Sequence, residues 1–210
     1  MTLKPTNIGV VSQFQTFKKM TIPNKFSALR LVASLLLAAT LTTTTGQASA
    51  QHKSLKLVFI RHAERPDDGE NLTCAGFNRS VLLPAVLYRK FNIVDDIFVP
   101  SPNLGKVTKQ ARMLETIIPY AIKYNLSINS KFDEDDSKSL AAALLKESGT
   151  VVIVWDHSEI PGIISALGIR QFLKWDSDDF DSIWIVTFPN GKPRLQADKE
   201  GLNPPKGCPF

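Results

Sequence analysis

Two short runs constrain this chain more than anything else in it. Leu55 to Ile60, LKLVFI, and Val151 to Trp155, VVIVW, are almost wholly apolar and rich in β-branched residues. A strand with one solvated face alternates apolar and polar side chains, whereas a run without that alternation is buried on both faces. Both runs therefore predict interior strands with helices above and below. Helical periodicity is found over Gly76 to Phe91, in Val81, Leu82, Ala85 and Tyr88, and again over Arg112 to Tyr124, despite Pro84 and Pro119. Ser137 to Glu147 reads as a helix with Ser137 as N-cap and Gly149 beyond its end, and Glu159 to Leu167 as a shorter one. Asp96 to Val99 and Ser182 to Phe188 complete the strands, the latter followed by a Pro- and Gly-rich tail. Strands alternating with helices imply an α/β fold: a mostly parallel sheet covered by helices on both faces.

In such sheets ligands collect beyond the carboxyl ends of the strands. The first apolar run ends in Arg61 and His62, the second in Asp156 and His157. If the two strands are parallel neighbours, Arg61, His62 and His157 emerge on one rim and face one crevice. The chain has three histidines, and the remaining one, His52, falls beside an expected processing site.

That processing site belongs to a basic leader. The 210 residues carry a formal charge of +5, but Lys4, Lys18, Lys19, Lys25 and Arg30 are the only charged residues in the first fifty, and without them 20 basic residues face 20 acidic ones. Nucleic-acid binding is thereby disfavoured: the remainder is balanced and has no basic, aromatic-rich stretch. Lys25 and Arg30 precede the apolar run Leu31 to Leu41, and Ala48-Ser49-Ala50 offers small residues for cleavage before Gln51. Residues 1–50 are expected to be a secretory signal, with Met20 a candidate start, leaving residues 51–210 as one domain in the periplasm or outside the cell. The apolar run is shorter than the roughly 20 residues of a membrane span, so no stable membrane anchor is expected.

Cys74 and Cys208 are the only cysteines. In an exported chain they are either a disulfide closing the tail onto the domain or two free thiols, and spacing does not choose between these. Neither they nor the histidines have zinc-ligand spacing. The acidic runs Asp133 to Asp136 and Asp176 to Asp181 read as solvated loop faces rather than calcium loops.

IRHAERP, Ile60 to Pro66, resembles the signature of the histidine phosphatase superfamily, which includes the phosphoglycerate mutases and the acid phosphatases, with Ala63 at the usual glycine. Three further segments are similar in order: LTCAG, Leu72 to Gly76; RMLET, Arg112 to Thr116, at a longer distance from Ser101-Pro102 than usual; and WDHSEIPGIISALG, Trp155 to Gly168. The resemblance implies a three-layer, phosphoglycerate mutase-like fold. It also implies a phosphohistidine mechanism in which His62 is the nucleophile and Arg61, Arg112 and His157 hold the phosphoryl oxygens, with Arg65 as a further donor. No cofactor or metal is expected.

The residue types suit that chemistry. Phosphoryl transfer is catalysed mainly by positioning and by stabilising charge on the equatorial oxygens. Arginine offers a permanently charged, planar fork, and neutral imidazole a nucleophilic lone pair. An alcohol leaving group also needs a general acid. The acid phosphatases have aspartate directly after the second histidine, where this chain has Ser158, so Glu64, preferred, and Glu159 are the candidate donors. Asp156 is placed either to orient His157 or to cap the following helix. The expected function is an exported phosphatase acting on a small phosphorylated substrate. The alternatives are a phosphate-ligand-binding module of the same fold, or a phosphomutase, which export disfavours.

Overall fold

A computed structural model describes residues 54–103, 107–208 and 210. The expected signal segment with its cleavage site, together with His52, lies outside the described residues.

The strands are β1 (Lys56–Arg61), β2 (Asp96–Pro100), β3 (Asn129–Phe132), β4 (Thr150–Trp155), β5 (Ser182–Thr187) and β6 (Arg194–Lys199). They form one six-stranded sheet in the order β3-β2-β4-β1-β5-β6. The four strands from β3 to β1 are mutually parallel, β5 runs antiparallel to β1, and β6 antiparallel to β5. The two apolar runs are therefore adjacent, parallel and central, as their composition requires. The helices are α1 (Cys74–Phe91), α2 (Ala111–Tyr124), α3 (Ser137–Leu144) and α4 (Ile160–Ala166). None of the described helices is long and apolar enough to cross a membrane.

Alternation along β1 and β4 builds two separate cores. Leu57, Phe59, Val151, Ile153 and Trp155 pack with Leu140 and Leu144 of α3 and Ile160, Ile163 and Ile164 of α4. Val58, Ile60, Val152 and Val154 point the other way, onto Leu83 and Leu87 of α1 and Met113, Ile117 and Tyr120 of α2. All of these side chains are fully buried. At ~1.5–3 kcal/mol for each large apolar side chain, burial on both faces is what holds the three layers together.

Three local details differ from the sequence reading. Asp136, not Ser137, caps α3: its carboxylate accepts from the Ser139 amide at 3.1 Å. The helix closes at Leu144, short of Glu147. The polar segments NSKF and RLQADK are strands β3 and β6, so part of the expected tail is an edge strand of the sheet.

The turn from β1 into α1 is built around a close approach. Thr73 caps α1, its hydroxyl oxygen accepting from the Gly76 amide at 3.2 Å and donating to the Glu64 carbonyl at 3.1 Å, while the Thr73 amide donates to that same carbonyl at 2.9 Å. A Cβ on Gly76 would lie 2.3 Å from the Glu64 carbonyl oxygen, inside van der Waals contact with backbone that cannot swing away. Gly76→Ala is therefore expected to lower stability by about 2–3 kcal/mol, measured as a shift in the urea midpoint; an unchanged midpoint would show that the β1–α1 turn is not the rigid element described.

Candidate active site

Register brings the two strand ends together. Arg61 pairs with Trp155, and one further bond, from the His62 amide to the Trp155 carbonyl at 3.2 Å, carries the ladder past the last residue of β1. His62, Asp156 and His157 consequently share one rim, with nitrogen and carboxylate atoms from all three lying within 4.8 Å of one another.

His62 has no exposed surface. Its Nδ1 lies 2.7 Å from the Ala63 carbonyl, which can only accept, so Nδ1 carries the proton and Nε2 holds the lone pair. Nε2 has no hydrogen-bond partner. The Asp156 carboxylate faces it at 3.5 Å, an ion-pair distance that becomes a hydrogen bond only for the imidazolium. The Ala63 amide donates at 2.9 Å to the Thr116 hydroxyl, which donates at 2.7 Å to the Arg112 carbonyl one turn earlier in α2. This gives the arginine-to-threonine spacing of RMLET a physical reason: the threonine fixes the peptide that fixes the histidine. Ala63 is fully buried and its φ is not positive, so alanine is accommodated where glycine was expected.

Arg61 is anchored from several sides. One terminal nitrogen donates to the carbonyls of Ser177 at 2.6 Å, Asp179 at 3.4 Å and Asp176 at 3.5 Å, and the ring of Phe180 stacks 3.9 Å beneath the guanidinium. The other donates to His157 Nδ1 at 3.2 Å. Its Nε is buried without a partner. Burial lowers the Arg61 pKa to about 10, against the opposing pull of Asp156, so it is still charged at neutral pH. His157 Nδ1 also lies 3.1 Å from the Asp156 carboxylate, so the ring stands between a donor and an acceptor with its Nε2 directed away from both. Burial first, and Arg61 second, lower the His157 pKa, which keeps that ring neutral.

Asp156 contacts both histidines, with Oδ1 3.1 Å from His157 Nδ1 and Oδ2 facing His62, and it also bonds the turn that leads into α4. Its Oδ1 accepts from the Ser158 amide at 2.8 Å and hydroxyl at 2.7 Å, and its carbonyl accepts from the amides of Glu159 and Ile160 at the start of α4. Burial works against its charge, but the His62 contact, a hydrogen bond when that ring is an imidazolium, and the two Ser158 bonds prevail and hold the carboxyl well below the usual range. His62, Asp156 and His157 are the one described cluster able to surround a metal ion. The cationic Arg61, 3.2 Å from His157 Nδ1, suits the site to an anion instead.

A cleft of about 350 Å³ opens at this rim, lined by Arg65, Arg112, His157, Ser158 and the carboxylates of Glu134, Asp135, Asp156 and Glu159. Arg112 donates to the Gly69 carbonyl at 3.1 Å, and its Nε is buried without a partner. Arg65 is exposed, bonded only to the Pro66 carbonyl at 3.3 Å. The structure thus brings Arg61, His62, Arg65, Arg112, His157 and Glu159 to one place. Glu64 is not among them. Its carboxylate takes three bonds of 2.8–3.1 Å from Arg79, which also bonds Glu200 at 2.6 Å.

The sequence reading missed two features. Glu134, taken as part of a solvated acidic face, lines the cleft and accepts from the Gln110 side chain. Burial, and then the charge of Asp156, raise its pKa. The acidic run from Asp176 to Asp181 supplies the carbonyls and the aromatic ring that hold Arg61. Only the Phe within that run hinted that it was more than surface.

No family model matches the chain, and no curated protein matches it. Among solved structures, the protein histidine phosphatase SixA complexed with tungstate superposes with a TM-score of 0.52 at 16% identity, over 70% of this chain and 97% of that one. The chain has the histidine phosphatase fold. It is the phosphoglycerate mutase-like, three-layer architecture that the sequence implied. A mycobacterial glucosyl-3-phosphoglycerate phosphatase with inorganic phosphate is similar at a TM-score of 0.49 and 13% identity, over 69% of this chain and 96% of that one. Phosphoglycerate mutase from Bacillus anthracis is similar at 0.46 and 12%, over 70% and 93%.

Two measurements check these assignments. An anion that satisfies the unpartnered nitrogens stabilises the folded state, so phosphate at about a hundred times its Kd is expected to raise the Tm by roughly 5–10 °C, an effect lost in Arg112→Ala; an equal rise in both proteins would place the anion elsewhere. The second concerns the buried Arg79 pair. Burial pushes the Glu200 carboxyl up to about 7 from an ordinary 4.5, despite Arg79. Between those two values the folded chain binds more protons than the unfolded one, so this group's contribution to stability is complete below 4.5 and is lost as pH rises through 7. The loss is on the order of 2–3 kcal/mol. Urea midpoints at pH 5 and pH 8 should differ less in Glu200→Gln than in the parent protein, and equal slopes would refute the assignment.

Proposed function

We propose that the protein is an exported phosphatase that hydrolyses a small phosphomonoester through a phosphohistidine at His62. The observation that carries this reading is a set of three buried, unpartnered nitrogens, His62 Nε2, Arg61 Nε and Arg112 Nε: Arg112 lines the cleft, and His62 and Arg61 lie against its lining residues Asp156 and His157. Burying polar atoms without partners costs about 1–3 kcal/mol each, a cost that a bound phosphoryl group would repay. That the similar protein histidine phosphatase SixA was solved with tungstate, a tetrahedral oxyanion, supports the same use of the fold here. The leader of residues 1–50 supports export.

In this mechanism the His62 Nε2 lone pair attacks phosphorus while the Ala63 carbonyl holds the Nδ1 proton. Arg61 Nε, Arg112 and the His157 Nε2–H stabilise the equatorial oxygens. The phosphorus–oxygen bond to the leaving group breaks, and the departing oxygen takes a proton from Glu134, whose carboxyl pKa is pushed upward by burial and then by Asp156. Water then attacks the phosphohistidine and returns a proton to Glu134, the phosphorus–nitrogen bond breaks, and the lone pair goes back to His62. Glu134 takes the role for which Glu64 was preferred, since Arg79 already occupies the Glu64 carboxylate. With a donor in the cleft, turnover is favoured over a module that only binds phosphorylated ligands. Arg65 lies at the mouth as a further phosphoryl contact.

Acid quenching destroys phosphohistidine and alkali preserves it. Rapid quenching in alkali is therefore expected to trap label on the peptide containing His62, and His62→Ala should abolish both trapping and turnover. Arg112→Ala should lower the rate about 100- to 1000-fold. Glu134→Gln should slow hydrolysis of alkyl phosphates by ~100-fold or more and remove the fall in rate as pH rises through the Glu134 pKa. It should slow p-nitrophenyl phosphate far less, because that leaving group needs no proton. Label on serine or aspartate, or normal turnover by His62→Ala, would defeat the mechanism; micromolar binding of phosphate esters without hydrolysis would support the binding module.

A further inference from the structure

The phosphoryl group is only one end of a substrate, and the rest of the cleft is charged in the opposite sense. Arg112 lines the cleft and Arg61 bonds its lining residue His157, and each carries a buried, unpartnered nitrogen that the mechanism assigns to the phosphoryl group. Arg65 lies on their side, close enough to add to the positive potential felt by Arg61 and His157. The remainder of the lining is Glu134, which the mechanism uses as an acid, and Asp135, Asp156 and Glu159, three further carboxylates against the two lining arginines, with no apolar side chain among the described residues of the wall. Among the described residues, the carboxylates of Asp135 and Glu159 have no hydrogen-bond or ion-pair partner.

A second depression of about 400 Å³ continues from the first and shares Glu134 and Asp135 with it. Its other described lining residues are Asn103, Gln110 and Asp133, none of them a cation. Gln110 donates its amide to Glu134, leaving its own Oε1 buried with no donor to accept from. The wall beyond the phosphoryl site therefore consists largely of acceptors awaiting donors.

We infer that the leaving group of the substrate is hydrophilic and carries hydrogen-bond donors without negative charge, an amino or polyhydroxyl compound, and that a second anionic group is rejected. This inference rests on the phosphatase reading and deepens it. An ammonium or hydroxyl group satisfies the Gln110 oxygen and the free carboxylates, while a carboxylate or second phosphate meets their repulsion, and the described lining of the second depression has no cation to offset it. Aromatic and long alkyl leaving groups find no apolar wall to bury against.

Three sugar phosphates of one size, with the phosphate on the same carbon, separate charge from shape: glucosamine 6-phosphate, glucose 6-phosphate and 6-phosphogluconate. The expected order of kcat/KM is amino, then neutral, then acid. We expect a spread of ~10-fold or more between the extremes, about 1.4 kcal/mol, that narrows as salt is added. Asp135→Asn with Glu159→Gln, both at the cleft mouth, should compress that spread chiefly by improving the acid. Calorimetric binding of the same three compounds to His62→Ala reads the order without turnover. If phosphate esters are not hydrolysed but bind in this order, the phosphatase reading fails and the inference stands. If they are hydrolysed but 6-phosphogluconate is equal or preferred, the inference fails and the phosphatase reading stands; absence of both binding and hydrolysis defeats both.

Discussion

The in-register parallel pairing of β1 and β4 is the constraint on which everything else depends. Arg61 opposite Trp155, followed by the His62 amide on the Trp155 carbonyl, fixes where each strand releases its chain. A slip of one residue would turn each apolar set to the wrong helical layer and part His62 from Asp156 and His157. Burial on both faces makes such a slip costly, so the hydrophobic effect aligns the polar rim although it acts on none of its residues.

Around this alignment the chain spends its cations in two different ways. Arg79 is enclosed by carboxylates, bonded to Glu64 and Glu200 with Asp181 at 4.0 Å, and serves to join the β1–α1 turn to the C-terminal segment. Arg61 is held by neutral carbonyls and an aromatic face, so its charge is positioned but not cancelled. A guanidinium already paired with carboxylates has little to offer an incoming anion, whereas one held by dipoles keeps its field. That contrast separates a structural arginine from one able to act on a ligand, although both are nearly fully buried.

What could be read in the sequence follows the same division. The two central strands, four helices and the shared rim were legible because each rests on a pattern of side chains: continuous apolar runs, helical periodicity, polar residues at strand ends. The strands β3 and β6 were not, since NSKF and RLQADK lie at the sheet edges and have little apolar surface to hide. The direction of β5 was invisible as well, because a buried run looks the same parallel or antiparallel. Glu64 was favoured for standing two residues from His62, yet its carboxylate goes to Arg79; Glu134, seventy-two positions away, lines the cleft instead. The clamp on Arg61 had almost no sequence signal, because backbone carbonyls do its bonding.

Cys74 and Cys208 are joined, and the same C-terminal segment supplies Glu200 to Arg79 and two carbonyls to the Asn78 side chain. β1, the first of the described strands, is flanked in the sheet by β4 and β5. During synthesis, then, the earliest strand has no neighbour to pair with on either side until most of the chain has been made. The domain cannot assemble progressively from its amino end. It must wait, its central strand unpaired, until the later strands arrive to enclose it.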